Sequence, residues 1–230
     1  MSEEALRNRQ LAKLTTSMST QHIMIQGLRT SYEMHGKGPA ILLIHGWAGS
    51  RLHWNDAPIF LKSYRIISVD LYGFGDSEES SRVSIPEDYV EPVCEFIKFL
   101  EIKRLVLVGH SVGGLVAANV ALRIPENTGG LVLIEAPVGR ELETVKCPVM
   151  LIFGDRNSQM EGLSRVEVAK TQLAHNSAAE VCFIENANHN PMLENPPRFY
   201  GVVNDFLGTI NNNRNQGNAS VDAQTGTATL

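Results

Sequence analysis

Gly109-His110-Ser111-Val112-Gly113 lies between the run Arg104-Leu105-Val106-Leu107-Val108 and the run Gly114-Leu115-Val116-Ala117-Ala118-Asn119-Val120-Ala121-Leu122. The first run reads as a buried strand and the second as a helix. A G-x-S-x-G placed between strand and helix has the form of a nucleophile elbow. Glycines on either side of the serine let the chain turn sharply and hold Ser111 in a strained conformation. The helix that follows points its N-terminus at the serine, which favours negative charge there. The competing reading of Ser111 is a tight structural turn without chemistry.

Working outward, the chain alternates strand-like and helix-like segments. His22 to Gln26, Arg29 to His35, Ala40 to His45 and Arg65 to Val69 read as strands before the elbow. Pro86 to Leu100 has apolar residues at Val90, Val93, Cys94, Ile97 and Leu100, a helical spacing with Pro86 in the first turn. After the elbow, Leu131 to Glu135, Pro148 to Phe153 and Val181 to Ile184 read as strands. Residues from about Gly162 to Leu173 and from Pro197 to Leu207 read as helices. This order predicts an α/β fold, a mostly parallel sheet with helices on both faces. Ligands of such sheets bind at the carboxyl ends of the strands. His45, Asp70, Ser111, Glu135, Asp155 and His189 all fall at or just beyond such ends.

Composition limits the function. The chain has 230 residues, 43% of them hydrophobic, which suits one α/β domain with a sizeable core. The predicted organisation is a flexible extension over residues 1–20, the folded domain over residues 21–208 and a disordered tail over residues 209–230. The formal net charge is −5 and no Lys/Arg cluster stands out, so nucleic acid is excluded as a partner. No apolar run reaches the length of a membrane span. The N-terminal residues lack a secretory apolar core, which points to a cytoplasmic protein. Cys94, Cys147 and Cys182 fit neither a zinc site nor a disulfide framework and read as small hydrophobes.

Four segments together resemble the α/β-hydrolase superfamily, over about Gln21 to Gly208. They are His45-Gly46-Trp47, Asp70-Leu71-Tyr72-Gly73-Phe74-Gly75-Asp76-Ser77, the serine elbow, and Asn186-Ala187-Asn188-His189. Asn188 stands where the family has glycine. The resemblance implies the α/β-hydrolase fold and a serine nucleophile. Ser111 would attack a carbonyl, and His189 would take its proton and return it to the leaving group. The backbone N–H groups of Val112 and, by family analogy, Trp47 would form the oxyanion hole. His45 would support the oxyanion loop and His110 would pack beside the elbow. His53 and Trp54 either border the pocket or belong to an exposed helix start.

The third member of the triad has two candidates. The family's usual acid position, three residues past the glycine ending the strand at Phe153, holds Asn157. Asparagine can accept a bond from histidine but cannot offset an imidazolium charge. Asp155 is preferred as the acid. Glu135 is the alternative, drawn from the strand end that some relatives use; its competing reading is a polar strand end bonded to backbone.

The second departure from the family lies between Leu131 and Pro148. Relatives insert a helical cap there, whereas here only Ala136 to Cys147 makes the connection. A parallel crossover needs about a dozen residues, so the cap is expected to be missing or minimal and the site open. The function expected is hydrolysis of a small carboxylic ester through an acyl-enzyme, with no metal or organic cofactor. The alternatives are a non-catalytic or degenerate binding protein of the same fold, or a cap-deleted form of a carbon–carbon hydrolase, lactonase or thioesterase.

Overall fold

A computed structural model of the protein describes residues 19–156 and 165–224. The chain opens with β1 (Gln21–Ile25) and β2 (Leu28–His35), paired as an antiparallel hairpin. β3 (Ala40–Ile44) follows, then a 3₁₀ turn over Arg51–Trp54 and the short helix α1 (Ala57–Phe60). β4 (Arg65–Val69) leads, through a 3₁₀ turn at Pro86–Tyr89, into α2 (Val90–Phe99). β5 (Leu105–His110) and α3 (Val112–Arg123) carry the elbow between them. β6 (Thr128–Ile134), a 3₁₀ turn at Arg140–Glu143 and β7 (Val149–Gly154) come next. α4 (Arg165–His175), β8 (Glu180–Ile184), α5 (Pro191–Glu194) and α6 (Pro196–Gln224) complete the described elements.

The strands form one eight-stranded sheet in the order β1-β2-β4-β3-β5-β6-β7-β8. β2 meets β4 antiparallel, and every pair from β4–β3 to β7–β8 is parallel. The order places β3 between β4 and β5. Chain progression therefore reverses at β3, and the loops after β3 and β5 leave the sheet edge side by side. Ile44 pairs with Gly109, which aligns the ends of these two strands. A ligand crevice forms at such a switch point because flanking loops diverge there.

Burial on both faces explains the continuous apolar runs. Along β3, Leu42 and Ile44 face one core while Ile41 and Leu43 face the other. β5 repeats this with Leu105 and Leu107 against Val106 and Val108, as the two-residue strand period requires. α2 and α3 cover the first face through Val93, Phe96, Ile97, Val116, Ala117 and Val120. α6 covers the second through Phe199, Tyr200, Val203, Phe206, Leu207 and Ile210.

Several boundaries differ from the sequence expectation. The helix expected from Pro86 begins as a 3₁₀ turn and becomes α-helical at Val90. The last helix was expected over Pro197 to Leu207, and α6 instead runs to Gln224, through much of the tail. Ile210 is its last apolar anchor among the described side chains, and the apolar sequence pattern that marks a helix fades there although the backbone continues. Trp54 is buried in the second core and does not belong to an exposed helix start. The connection from β6 to β7 holds the single 3₁₀ turn at Arg140–Glu143. No described helix is long and apolar enough to cross a membrane. Cys94 is buried, Cys147 and Cys182 are half-buried, and all three are unpaired thiols. Burial pushes the Cys94 and Cys147 thiols up to about 11.

Phe206 is 2% exposed at the centre of the α6 contact. Phe206→Ala should therefore lower the unfolding free energy by about 3–5 kcal/mol, read from the shift in urea midpoint at unchanged slope.

Candidate active site

Ser111 occupies the turn between β5 and α3 with φ 52 and ψ −122. A non-glycine residue in this region carries strain of about 1–3 kcal/mol and persists only where its surroundings hold it. Three backbone bonds do so. Ser111 N–H donates to the Ile134 carbonyl at 2.7 Å, and Gly114 and Leu115 N–H groups donate to the Ser111 carbonyl at 2.9 and 3.3 Å. The flanking glycines permit close approach. A Cβ on Gly113 would overlap the carbonyl oxygens of Ile44 and His45, and one on Gly109 would overlap the backbone of Gly113 and Gly114. Val112 is the first residue of α3, where backbone N–H groups have no intrahelical acceptor.

The loop after β3 runs directly beside the elbow. A Cβ placed on Gly46 would stand 3.1 Å from the Ser111 Cβ and 2.8 Å from His110 Nδ1. His45 braces this loop from within the core. Its Nδ1 lies 2.7 Å from the Gly46 carbonyl, and its Nε2 accepts the Leu71 N–H at 3.0 Å. These two bonds require the neutral tautomer protonated at Nδ1, and burial lowers the His45 pKa in the same sense. Trp47 is 66% exposed, its ring set edge-on to Phe74 at 5.3 Å, and Phe74 in turn meets His45 at 5.5 Å.

Arg51 ties the far end of this loop to the loop after β4. Its guanidinium pairs with Glu33 at 2.9 Å, with Asp76 at 2.7 Å and with Asp70, and its backbone N–H donates to Asp70 at 2.7 Å. Asp70 also accepts the Asp76 N–H at 2.9 Å. The Asp70–Ser77 segment therefore acts as a brace for the loop that carries Trp47. Charged residues so deeply buried must be paired to be tolerated.

His189 reaches the elbow through His110. His110 Nε2 lies 2.6 Å from the His189 carbonyl, and the two rings are 4.8 Å apart. That contact needs a proton on Nε2, so neutral His110 presents a lone pair at Nδ1. Burial, the largest influence, lowers the His110 pKa to about 4. His189 is also shifted down by burial, opposed by the charge of Glu194. Its Nδ1 is buried without a hydrogen-bond partner among the described residues.

The two candidate acids lie on neighbouring strand ends. Glu135 is buried with φ 48, and its Oε1 accepts the Gly154 N–H at 2.5 Å. It thus stitches the end of β6 to the end of β7, the role of a polar strand end bonded to backbone. Asp155 follows β7, its N–H donating to the Ile184 carbonyl at 3.0 Å, while the Arg156 N–H donates to Ala187 at 2.9 Å. Gly154 packs against the Ala187 and Asn188 carbonyls. This brings the loop bearing Asp155 alongside the loop bearing His189. Asn157 lies outside the described residues.

Sequence reasoning missed Arg51, Phe74 and Glu194. Arg51 and Phe74 act through contacts between distant loops, which no local pattern marks. Glu194 left a faint signal, an acid in the first turn of a helix opened by proline at Pro191.

The strand order, the strained serine between strand and helix, and the flanking loops define an α/β-hydrolase architecture. The family model described as alpha/beta hydrolase fold matches residues 39–154, half of the chain, and the protein belongs to this family. It is 34% identical over 138 residues to epoxide hydrolase 3 of Xenopus tropicalis, covering 55% of this chain and 37% of that protein. It is 35% identical over 122 residues to 2-hydroxymuconate semialdehyde hydrolase of Pseudomonas sp. (strain CF600), covering 50% of this chain and 42% of that protein. The chain thus spans less than half the length of these curated relatives. Among solved structures, carboxylesterase CesB of Bacillus subtilis superposes with a TM-score of 0.73 at 18% identity, covering 90% of this chain and 99% of that one.

Two predictions follow from the site's physics. Ser111→Gly relieves the positive φ and should be more stable than Ser111→Ala by roughly 1 kcal/mol in urea unfolding. His110 binds its proton near its ordinary value of 6.5 when unfolded but only near 4 when folded. The unfolded state therefore takes up the proton first as pH falls. His110 should withdraw about 3 kcal/mol of stability between roughly pH 6.5 and pH 4. Urea titrations at pH 7, 5.5 and 4 should show this slope, and His110→Gln should flatten it.

Proposed function

We propose that the protein is a serine hydrolase that cleaves small carboxylic esters. The observation that carries this reading is the strained backbone of Ser111, set at a helix N-terminus beside the Gly46–Trp47 loop and the His189 loop. Ser111 Oγ attacks the ester carbonyl while His189 takes its proton. A base must be neutral to do this, and the lowered pKa of His189 keeps it so at neutral pH. The oxyanion is met by the Val112 and Trp47 N–H groups, each such donor being worth about 3–4 kcal/mol. Collapse expels the alcohol, which His189 protonates, and water then releases the acid by the same steps. Asp155 serves as the acid that orients His189. It is preferred to Glu135, which already uses a carboxylate oxygen on the Gly154 amide. This chemistry needs no metal or organic cofactor.

Serine at the elbow distinguishes this site from epoxide hydrolases and dehalogenases, which resemble this fold but carry aspartate there. A second reading, carbon–carbon bond hydrolysis, draws support from the similarity to 2-hydroxymuconate semialdehyde hydrolase. The short β6–β7 connection weighs against it, because such enzymes resembling this chain use a cap to hold the substrate. A binding protein without an activated serine is the alternative from outside enzymology.

The test is hydrolysis of p-nitrophenyl acetate and butyrate, with fluorophosphonate labelling, by wild type, Ser111→Ala, Asp155→Asn and Glu135→Gln. Ser111→Ala should lose hydrolysis and labelling while remaining folded. Asp155→Asn should lose about 10⁴-fold in kcat, and Glu135→Gln much less. Equal hydrolysis in Ser111→Ala refutes the assignment. A folded wild type that neither hydrolyses nor labels favours the binding protein. Turnover of 2-hydroxymuconate semialdehyde in preference to both esters favours the second reading.

A further inference from the structure

The loop carrying His189 is held by a carboxylate outside every segment that the sequence singles out. Glu194 ends α5, the short helix that Asn190 opens. Its Oε1 accepts the Asn190 N–H at 3.0 Å, and its Oε2 accepts the Asn188 N–H. These amides stand immediately before and after His189, so one side chain straps both flanks of the histidine. The His189 carbonyl is held in turn by His110 Nε2 at 2.6 Å. Glu194 is itself anchored in the same turn, its N–H donating to the Asn190 carbonyl at 3.0 Å. Asn195 closes the loop from below, its side-chain amide donating to the Glu185 carbonyl at 2.9 Å.

We propose that Glu194 is a positioning residue for His189: its carboxylate, bonded to the Asn188 and Asn190 amides, sets the loop that presents the imidazole and supplies a negative charge that favours its protonated form. The proposal rests on His189 being the base. Two properties of the clamp support it. Both carboxylate oxygens are bonded to backbone, so the charge is fixed in place rather than swinging with a free side chain. The bonded amides belong to the residues adjoining His189, so any change in the carboxylate is transmitted to the base directly.

Other polar groups come near the histidine from the neighbouring strand ends. His110, from β5, is neutral at pH 7 because burial lowers its pKa to about 4. Arg156, on the loop after β7, bonds the Asn186 side chain. Asp155 lies on that same loop, and Glu135 bonds the Gly154 amide. The pKa of His189 is lowered by burial and raised in part by the charge of Glu194. An acid fixed to the loop thus does part of what a triad acid does, which fits a chain with asparagine at the family's usual acid position.

The test is an NMR titration of ¹³C,¹⁵N-histidine protein, wild type against Glu194→Gln and Glu194→Asp, with His189→Asn assigning the resonance. Fluorophosphonate labelling of the same samples is followed against pH. Glu194→Gln keeps the size and one acceptor but removes the charge. It should lower the His189 pKa, because one nearby negative charge is removed. The acid limb of labelling should move down with it, and the plateau rate should fall several-fold. Glu194→Asp should restore part of the titration shift. A His189 titration unmoved in Glu194→Gln, or a plateau rate equal to wild type, overturns the proposal. Wild type that does not label at all refutes the serine-hydrolase reading instead, and the titration then still decides whether Glu194 governs His189.

Discussion

The closeness of α3 to the ends of β3 and β5 is the constraint on which the rest of the structure depends. Gly113 sits so near the Ile44 and His45 carbonyls that no side chain fits there. This approach lets the helix begin one residue after Ser111 and keeps that serine at positive φ. It also brings Gly46 within contact of the serine side chain. Separating the helix from the sheet by the width of a methyl group would relax the turn, retract the serine and open the oxyanion loop together. Close-packed interiors transmit such displacements because they hold few voids to absorb them.

A second, polar scaffold supports the first. Glu33, Arg51, Asp70 and Asp76 come from β2, the loop after β3 and the loop after β4. Buried ion pairs of this kind contribute little net stability, because desolvation offsets the attraction. Their value here is geometric. Removing Arg51 would take the shared cation from the buried Glu33 and Asp70 carboxylates, so its guanidinium holds these segments in a single arrangement. His45 and Phe74 extend the brace to Trp47 through one hydrogen bond and two edge-on ring contacts. The loop carrying Trp47 is therefore braced from behind by His45, Phe74 and the Arg51 cluster.

The β6–β7 connection determines how the crevice meets solvent. Where the sequence resemblance implies a helical cap, the segment contains one 3₁₀ turn at Arg140–Glu143. Exposed Trp47 lies on the loop after β3, and exposed Leu193 on α5 just after His189. An open site offers little enclosed apolar surface for discriminating acyl groups, since selectivity of that kind depends on burial. Reactivity would then be set by the serine, the histidine and the fixed backbone donors more than by substrate fit.

The sequence by itself determined the class of fold and the strand–helix junction at which Ser111 stands. Strict strand-then-helix alternation and the G-x-S-x-G at their junction are local patterns, and local patterns survive in one dimension. The place of Ser111 at a strand–helix junction was legible for this reason, as was the shortness of the β6–β7 connection. Helix ends were less legible, since α6 continues past its last apolar anchor. What only the tertiary structure decided is how distant segments meet. Glu135 bonds the Gly154 amide across neighbouring strands, Arg51 joins β2 to the loops after β3 and β4, His110 reaches the His189 carbonyl, and Glu194 clamps the loop around His189. Each is a single polar residue with no periodicity, and its partner is fixed by strand order and register. Sheet topology therefore carried the information that residue spacing could not.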